Sequence, residues 1–497
     1  MSLLSRRALA KNSLINLAGF GLPLLVGLIA IPLIVRGFGV ERFGVLTLAW
    51  AVIGYFSLFD MGIGRAITQS MAARLETDSA RDVSRLAWTG LSMMLIFALI
   101  GAAIVASLAP WFVSSVLNMP EALGEETVAA FILLAAAIPA VVLSAGLAGI
   151  LAALQRFDLI NALRIPMGMM IFLVPLAILP YSKSMAYVCA GLLGIRILFL
   201  VLHAAACFHA FPPLRAHIGM ARSEIRGLLS FGGWMTVTNV IGPLMVYMDR
   251  FVIGAVLTIS AVAYYVTPYE MVTRLWAIPA ALVAVLFPAF AAAKSVGSDH
   301  AASLYFMGGR AILGILTPIV LVLVVFAEEG LRLWLGEDFA QNSAAVLQWL
   351  AIGVFINSYA QVPFAFIQGV GRADITAKLH LLELPIYIAM MFWLLNMHGI
   401  IGVAIAWLLR AAMDAALLTW VAHWLNTGMA VASRQILPLL AVPLVLFAIG
   451  MALDGMTEKL FFTGVTFLAL VIAGYNLALM PEEKTAIRQA ARRFRRT

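Results

Sequence analysis

The stretch SAVAYYVTPYEMVTRLWAIPAALVAVLFPAF, Ser260 to Phe290, decides the class of fold. It is long and apolar enough to span a bilayer as one helix, yet it carries Glu270 and Arg274. Four positions apart, their side chains share a helical face. Glu270 falls roughly ten residues, or about 15 Å, from the outer end of the helix, close to the bilayer midplane. A charge at that depth costs at least roughly 2.5 to 3.5 kcal/mol, so the face must look into a polar cavity or at a partner helix. Two readings stay open. Either the pair is self-neutralising and locks the helix to its neighbours, or it handles something polar.

The rest of the chain has the same character. Hydrophobic residues make up 63% and charged residues 11% of 497, and the mean hydropathy is +1.03, which excludes a soluble globular protein. The expected fold is an all-α polytopic membrane protein of about 14 transmembrane helices. They lie near 13–35, 43–66, 86–110, 128–152, 160–180, 184–208, 228–254, 260–290, 308–328, 343–369, 376–397, 400–424, 434–453 and 459–479. Cys189 and Cys207 share one apolar segment and define neither a disulfide framework nor a metal site. The histidines, His380 among them, show no ligand spacing, so no metal and no cofactor is expected.

A net charge of +8 suggests nucleic acid in a soluble chain, but here the cations sort by loop. Alternate loops collect Arg65, Arg74, Arg81 and Arg85, then Arg156 and Arg164, then Arg215, Arg222 and Arg226. The tail adds Lys484, Arg488, Arg492, Arg493, Arg495 and Arg496. The positive-inside rule then puts both termini in the cytoplasm of a multi-pass protein, with the tail against membrane lipids and no nucleic-acid partner.

An internal duplication is legible. ILAALQRFDLINALR (Ile150–Arg164) aligns without gaps on FIQGVGRADITAKLH (Phe366–His380), pairing Arg156 with Arg372 and Asp158 with Asp374. GIRILFLVLH, with Arg196, aligns more loosely on LLRAAMDAAL, with Arg410 and Asp414. An offset of just over two hundred residues at two places implies two six-helix lobes. Because six is even, the lobes are related by a pseudo-two-fold axis along the membrane normal, with a cavity between them. The expected organisation is an N-terminal lobe at 1–210, a cytoplasmic linker at 211–226, a C-terminal lobe at 227–426, two appended helices at 427–480 and a basic cytoplasmic tail at 481–497. Gly242 and Pro243 are expected to break helix seven, and Asp60 and Arg65 fall near the inner end of helix two.

The turn GFGVERFGVLTLAW followed by SLFDMGIGRA, the LQRFD ending of helix four and the passage YMDRFVIGAVLTISAVAYY resemble the O-antigen and polysaccharide-export flippases of the multidrug/oligosaccharidyl-lipid/polysaccharide exporter superfamily. That resemblance covers most of helices one to twelve. It implies an inner-membrane flippase, not an enzyme, that moves undecaprenyl-pyrophosphate-linked oligosaccharide from the cytoplasmic to the periplasmic leaflet through a cationic cavity. Polysaccharide polymerase and glycosyltransferases are the protein partners it suggests. On this reading Arg274 and Arg250, with Arg36, Arg65 and Arg196, offset the pyrophosphate charge, because a guanidinium is permanently charged and holds phosphate oxygens bidentately. Glu270, Asp60, Asp249, Arg410 and Asp414 are then ion-coupling or charge-pairing groups. Two alternatives are an ion-coupled exporter of soluble cationic compounds and a lipid II flippase. The second is disfavoured because Asn16 to Val35 holds no arginine. An enzyme acting on the same glycolipid lacks a nucleophile or carboxylate-pair constellation.

Overall fold

The computed structural model describes residues 6–55, 60, 62–75, 77–293 and 298–473, and the basic tail at 481–497 lies outside them. Among the described residues every regular element is helical. In order they are α1 (Arg6–Phe38), α2 (Val40–Tyr55), α3 (Ile63–Arg74), α4 (Ala80–Trp111), α5 (Gly124–Ala153), α6 (Phe157–Ile178), α7 (Met185–Ala210), α8 (Pro213–Ala216) and α9 (Arg222–Val256). There follow α10 (Ile259–Thr273), α11 (Ala277–Ala293), α12 (Ser298–Val325), α13 (Ala327–Leu335), α14 (Glu337–Gly369), α15 (Ala373–Leu425), α16 (Gly428–Met451) and α17 (Met456–Ala473). Ten stretches among the described residues are long and apolar enough to cross a membrane. Leu25, Ile29, Leu99, Phe461 and Leu468 are exposed on their outer faces, as expected where the solvent is hydrocarbon.

Local chemistry sets the helix ends. Between α1 and α2 the chain turns at Gly39, whose φ of 85° suits a residue without a Cβ, so the expected tight turn is there. Ser79 caps α4 by accepting a hydrogen bond from the Asp82 amide at 3.2 Å, and Ser184 caps α7 through the Ala186 amide. Helix two differs from expectation: in place of one helix from 43 to 66 the chain forms α2 and α3. The cause is local. Gly62 takes a φ of 68°, and the Asp60 carboxylate accepts from the Gly64 amide at 2.7 Å, which starts a new helix. The expected break at Gly242 and Pro243 is absent, since α9 stays helical from Arg222 to Val256. A proline forfeits only one rung of the backbone ladder, and transmembrane helices tolerate that.

Two long elements bend instead. The expected helix 260–290 is α10 and α11 joined through a 3-10 turn at Arg274–Trp276. Within α15, Gly399 leaves helical geometry at φ 60° and ψ −140°. A Cβ on Gly402 would stand 2.0 Å from the Leu394 carbonyl oxygen, a separation impossible along a straight helix. The chain therefore doubles back, and α15 is the expected pair of helices on either side of residue 399.

By its internal contacts the chain forms two compact units, residues 1–263 and 264–497. In the first, α5 packs against α3, α4 and α7, α1 against α6, and α9 against α2, α3 and α4. Small residues let these helices approach closely, as where the Thr68 hydroxyl donates to the Gly149 carbonyl at 3.0 Å. In the second unit α14 is the central helix, buried on nearly every face and wrapped by α11, α12, α13 and α15. A helix apolar all round belongs in such a position. Tyr359 on α14 bonds Tyr305 of α12 at 3.1 Å and Thr419 of α15 at 3.2 Å, so its hydroxyl is satisfied inside the core.

Candidate functional site

Arg274 sits in the 3-10 turn where α10 gives way to α11, and its Nη2 donates to Glu270 at 3.2 Å. Both side chains are open: Arg274 is 51% and Glu270 37% exposed. The 3-10 turn is what presents them, since an i to i+3 turn re-aims side chains relative to the α-helix on either side. A guanidinium has five N–H donors, and the bridge to Glu270 engages one. The remaining donors can serve an anionic ligand. Behind the turn, Trp276 lies 6.3 Å from the ring of Trp407, and Tyr269 packs edge-on to the same ring at 6.0 Å.

Arg250 is placed quite differently. It is 2% exposed on α9, beside an equally buried Asp249 whose carboxylate accepts from the Arg250 amide at 2.8 Å. Its guanidinium stands 4.8 Å from the Tyr247 ring, which in turn fills the space over Gly54 of α2. Arg36 is exposed in the last turn of α1, and Arg65 is exposed in the first turn of α3. Asp60 is occupied as the acceptor that begins α3. Arg196 on α7 lies against the Met167 sulfur of α6 at 3.3 Å.

Arg410 and Asp414 occupy the second arm of α15 and are buried together with Glu383 of its first arm, beside the partly exposed His380. One atom each from His380, Glu383 and Asp414 lies within 4.8 Å of the others. The His380 Nε2 is 3.6 Å from an Asp414 oxygen. Arg410 stands 5.6 Å from both the Tyr387 and Trp407 rings. Neither Glu383 oxygen has a hydrogen-bond partner among the described residues, although the side chain is 0% exposed. The sequence reading missed this gathering. It treated His380 as a lone histidine, because the partners come from two arms whose antiparallel register is not written in spacing; His380, Glu383 and Tyr387, three and four apart, were the available signal.

A second tie is made by Glu126, which accepts from Arg42 of α2 at 3.2 and 3.3 Å and from the Met185 amide of α7 at 2.5 Å. One carboxylate thus joins α2, α5 and α7. Outside the membrane spans, Arg74 and Glu224 pair at 2.8 Å, and that bond raises the Arg74 guanidinium above its ordinary value.

Ten long apolar helices among the described residues, several of them bent or broken and carrying ionisable groups, make this a polytopic membrane fold. Solved structures agree on that fold. The lipid II flippase MurJ in an inward closed conformation aligns with a TM-score of 0.70 at 12% identity, over 92% of this chain and 97% of its own. An inward-facing multidrug resistance transporter of the MATE family in the MOP superfamily aligns with a TM-score of 0.68 at 14% identity, over 85% and 98%. A model of the polysaccharide biosynthesis protein family matches residues 33–344. A Shigella flexneri protein named "Putative O-antigen transporter" is 30% identical over 421 residues, 83% of this chain and 97% of that one. The chain belongs to the polysaccharide biosynthesis protein family.

Proposed function

We propose that this protein is a flippase carrying undecaprenyl-pyrophosphate-linked oligosaccharide from the cytoplasmic to the periplasmic leaflet by alternating access of two six-helix lobes. On this reading it resides in a bacterial inner membrane with both termini cytoplasmic, and it performs no covalent chemistry. The observation that carries the proposal is Arg274: a permanent cation on a mid-span bend, half-exposed, with one donor engaged by Glu270. Glu270 keeps the guanidinium neutralised while the carrier is empty, and a diphosphate competes for it with more oxygens and more charge. Arg36 and Arg65 are also exposed cations, each able to meet an anionic group. Arg250 and Arg196 are held against the Tyr247 ring and the Met167 sulfur, so direct contact with a pyrophosphate is left to the exposed arginines. The similarity to a protein named for O-antigen transport supports the substrate class.

In cells lacking the native gene, Arg274→Ala should abolish surface glycan while the protein remains in the membrane at its usual level. Arg274→Lys should be partly active, since an ammonium keeps the charge and loses the fork. Normal glycan with Arg274→Ala would reduce the Arg274 and Glu270 pair to a helix lock and sink the proposal.

A further inference from the structure

The buried cluster on α15 has no part in the substrate path just described. Its first arm supplies His380, Glu383 and Tyr387, and its second supplies Trp407, Arg410 and Asp414. From α14, the Phe364 ring stacks on His380 with centroids 5.9 Å apart. Among the described residues, the charged groups acting on Glu383 are Asp414, His380 and Arg410. With His380 neutral, two carboxylates and one guanidinium leave the cluster at net −1 in a low-dielectric interior. An uncompensated buried charge is strongly unfavourable, so the cluster requires one more positive charge.

The chemistry of the set narrows what that charge is. A divalent cation would overshoot to +1 directly beside Arg410. Sodium and other hard cations prefer oxygen cages, whereas one of the three approaching atoms here is an imidazole nitrogen. A proton fits: histidine and a desolvated carboxyl are the side chains that exchange one near neutrality. Glu383, wholly buried and without a hydrogen-bond partner among the described residues, is where an acquired proton would be held, and the partly exposed His380 is its route in.

We propose that His380, Glu383 and Asp414, offset by Arg410, form a buried site that binds and releases one proton, and that its occupancy is transmitted through Trp407 and Trp276 to the bend bearing Arg274. The transmitting contacts are continuous. Arg410 lies 5.6 Å from the Trp407 ring, and Trp407 lies 6.3 Å from Trp276, the last residue of the 3-10 turn that starts at Arg274. When the cluster loses its proton, Arg410 is drawn toward the carboxylates and away from the Trp407 face. The bend follows the ring. This site stands or falls independently of which molecule the protein carries.

The test uses the purified full chain in lipid nanodiscs, titrated between roughly pH 5 and pH 8. Infrared difference spectra should show a protonated-carboxyl stretch that fades as pH rises. It should vanish in Glu383→Gln and change its midpoint in Asp414→Asn and His380→Gln. A fluorophore on Ala277→Cys, an exposed position just past the turn, should report the same midpoint in an otherwise unaltered chain. Its signal should become pH-independent in Trp407→Leu, which keeps the carboxyl band. If Glu383→Gln does not fold, Asp414→Asn and His380→Gln carry the same measurement. Wild-type titration in all three variants overturns the site, and so does a titration abolished by replacing sodium with choline. A fluorophore midpoint unrelated to the carboxyl band overturns the transmission.

Discussion

Arg196 of α7 and Arg410 of α15 fall opposite one another when GIRILFLVLH is set on LLRAAMDAAL, and their surroundings share almost nothing. Counting nine residues on from the Asp158 and Asp374 of the aligned turns leads to Met167 in one copy and Glu383 in the other. Four residues beyond each arginine come Leu200 and Asp414, and opposite His380 in the alignment stands Arg164. One copy therefore sets an arginine against a thioether at 3.3 Å. The other sets it among two buried carboxylates and an imidazole. The turns that lead into both are tied in the same way. Arg156 grips Asp158 at 3.0 and 2.9 Å, and Arg372 grips Asp374 at 3.0 and 3.2 Å, each after a residue of positive φ. The Arg–x–Asp turn is thus common to both segments, while among the described residues the clustered buried carboxylates are found beside Arg410 and not beside Arg196. A soft, polarisable partner tolerates a cation without fixing its charge state, whereas acidic partners make that charge state consequential.

Removing the two arginines should separate the copies most sharply. Arg410→Ala leaves two buried carboxylates uncompensated and should cost on the order of 3–5 kcal/mol, read as a large drop in thermal unfolding temperature in detergent. Arg196→Ala should cost far less, because the sulfur it leaves behind needs no counter-charge. Equal losses would break the comparison. Next in size, Glu383→Met makes the second copy resemble the first and leaves Arg410 balanced by Asp414. It should raise stability by about 1–4 kcal/mol while removing the titrating carboxyl, and a destabilised variant would argue that Glu383 is structural.

The smallest contrast lies in the turns. Gln155 adopts φ 58°, whereas its counterpart Gly371 adopts φ 86° at no steric cost. Gln155→Gly should stabilise the chain by up to about 1 kcal/mol, and Gly371→Ala should destabilise it by about as much. Same-sign effects on the unfolding midpoint would show that the two turns are not equivalent in energy.

Much of this was legible in sequence, for particular reasons. Glu270 and Arg274 announced themselves because a charge inside an apolar run is costly wherever the run folds. The two Arg–x–Asp turns were readable because they are local, and a local motif carries its own geometry. The split of helix two was not foreseen. The capping by Asp60 and the left-handed Gly62 sit inside a run whose hydropathy looks continuous. The bend at Arg274–Trp276 escaped for the same reason, as hydropathy does not register a change from one helical hydrogen-bond pattern to another. The α15 cluster and the Glu126 tie depend on which helices are neighbours and in what register, and spacing along one strand of chain cannot encode that.

The reversal at Gly399, pressed so tightly that Gly402 all but touches the Leu394 carbonyl, also bears on how this region is made. Each arm alone would offer the bilayer unbalanced charge, at roughly 2.5 to 3.5 kcal/mol per residue near the centre of a span. Joined by so short a connection, the arms can leave the translocation machinery as a single hairpin, with Glu383 and Asp414 already facing Arg410. The polar residues then never meet lipid one at a time. The two glycines make that joint insertion sterically possible, so a bulkier residue at Gly402 would be felt first during biogenesis, as nascent chain that fails to enter the membrane.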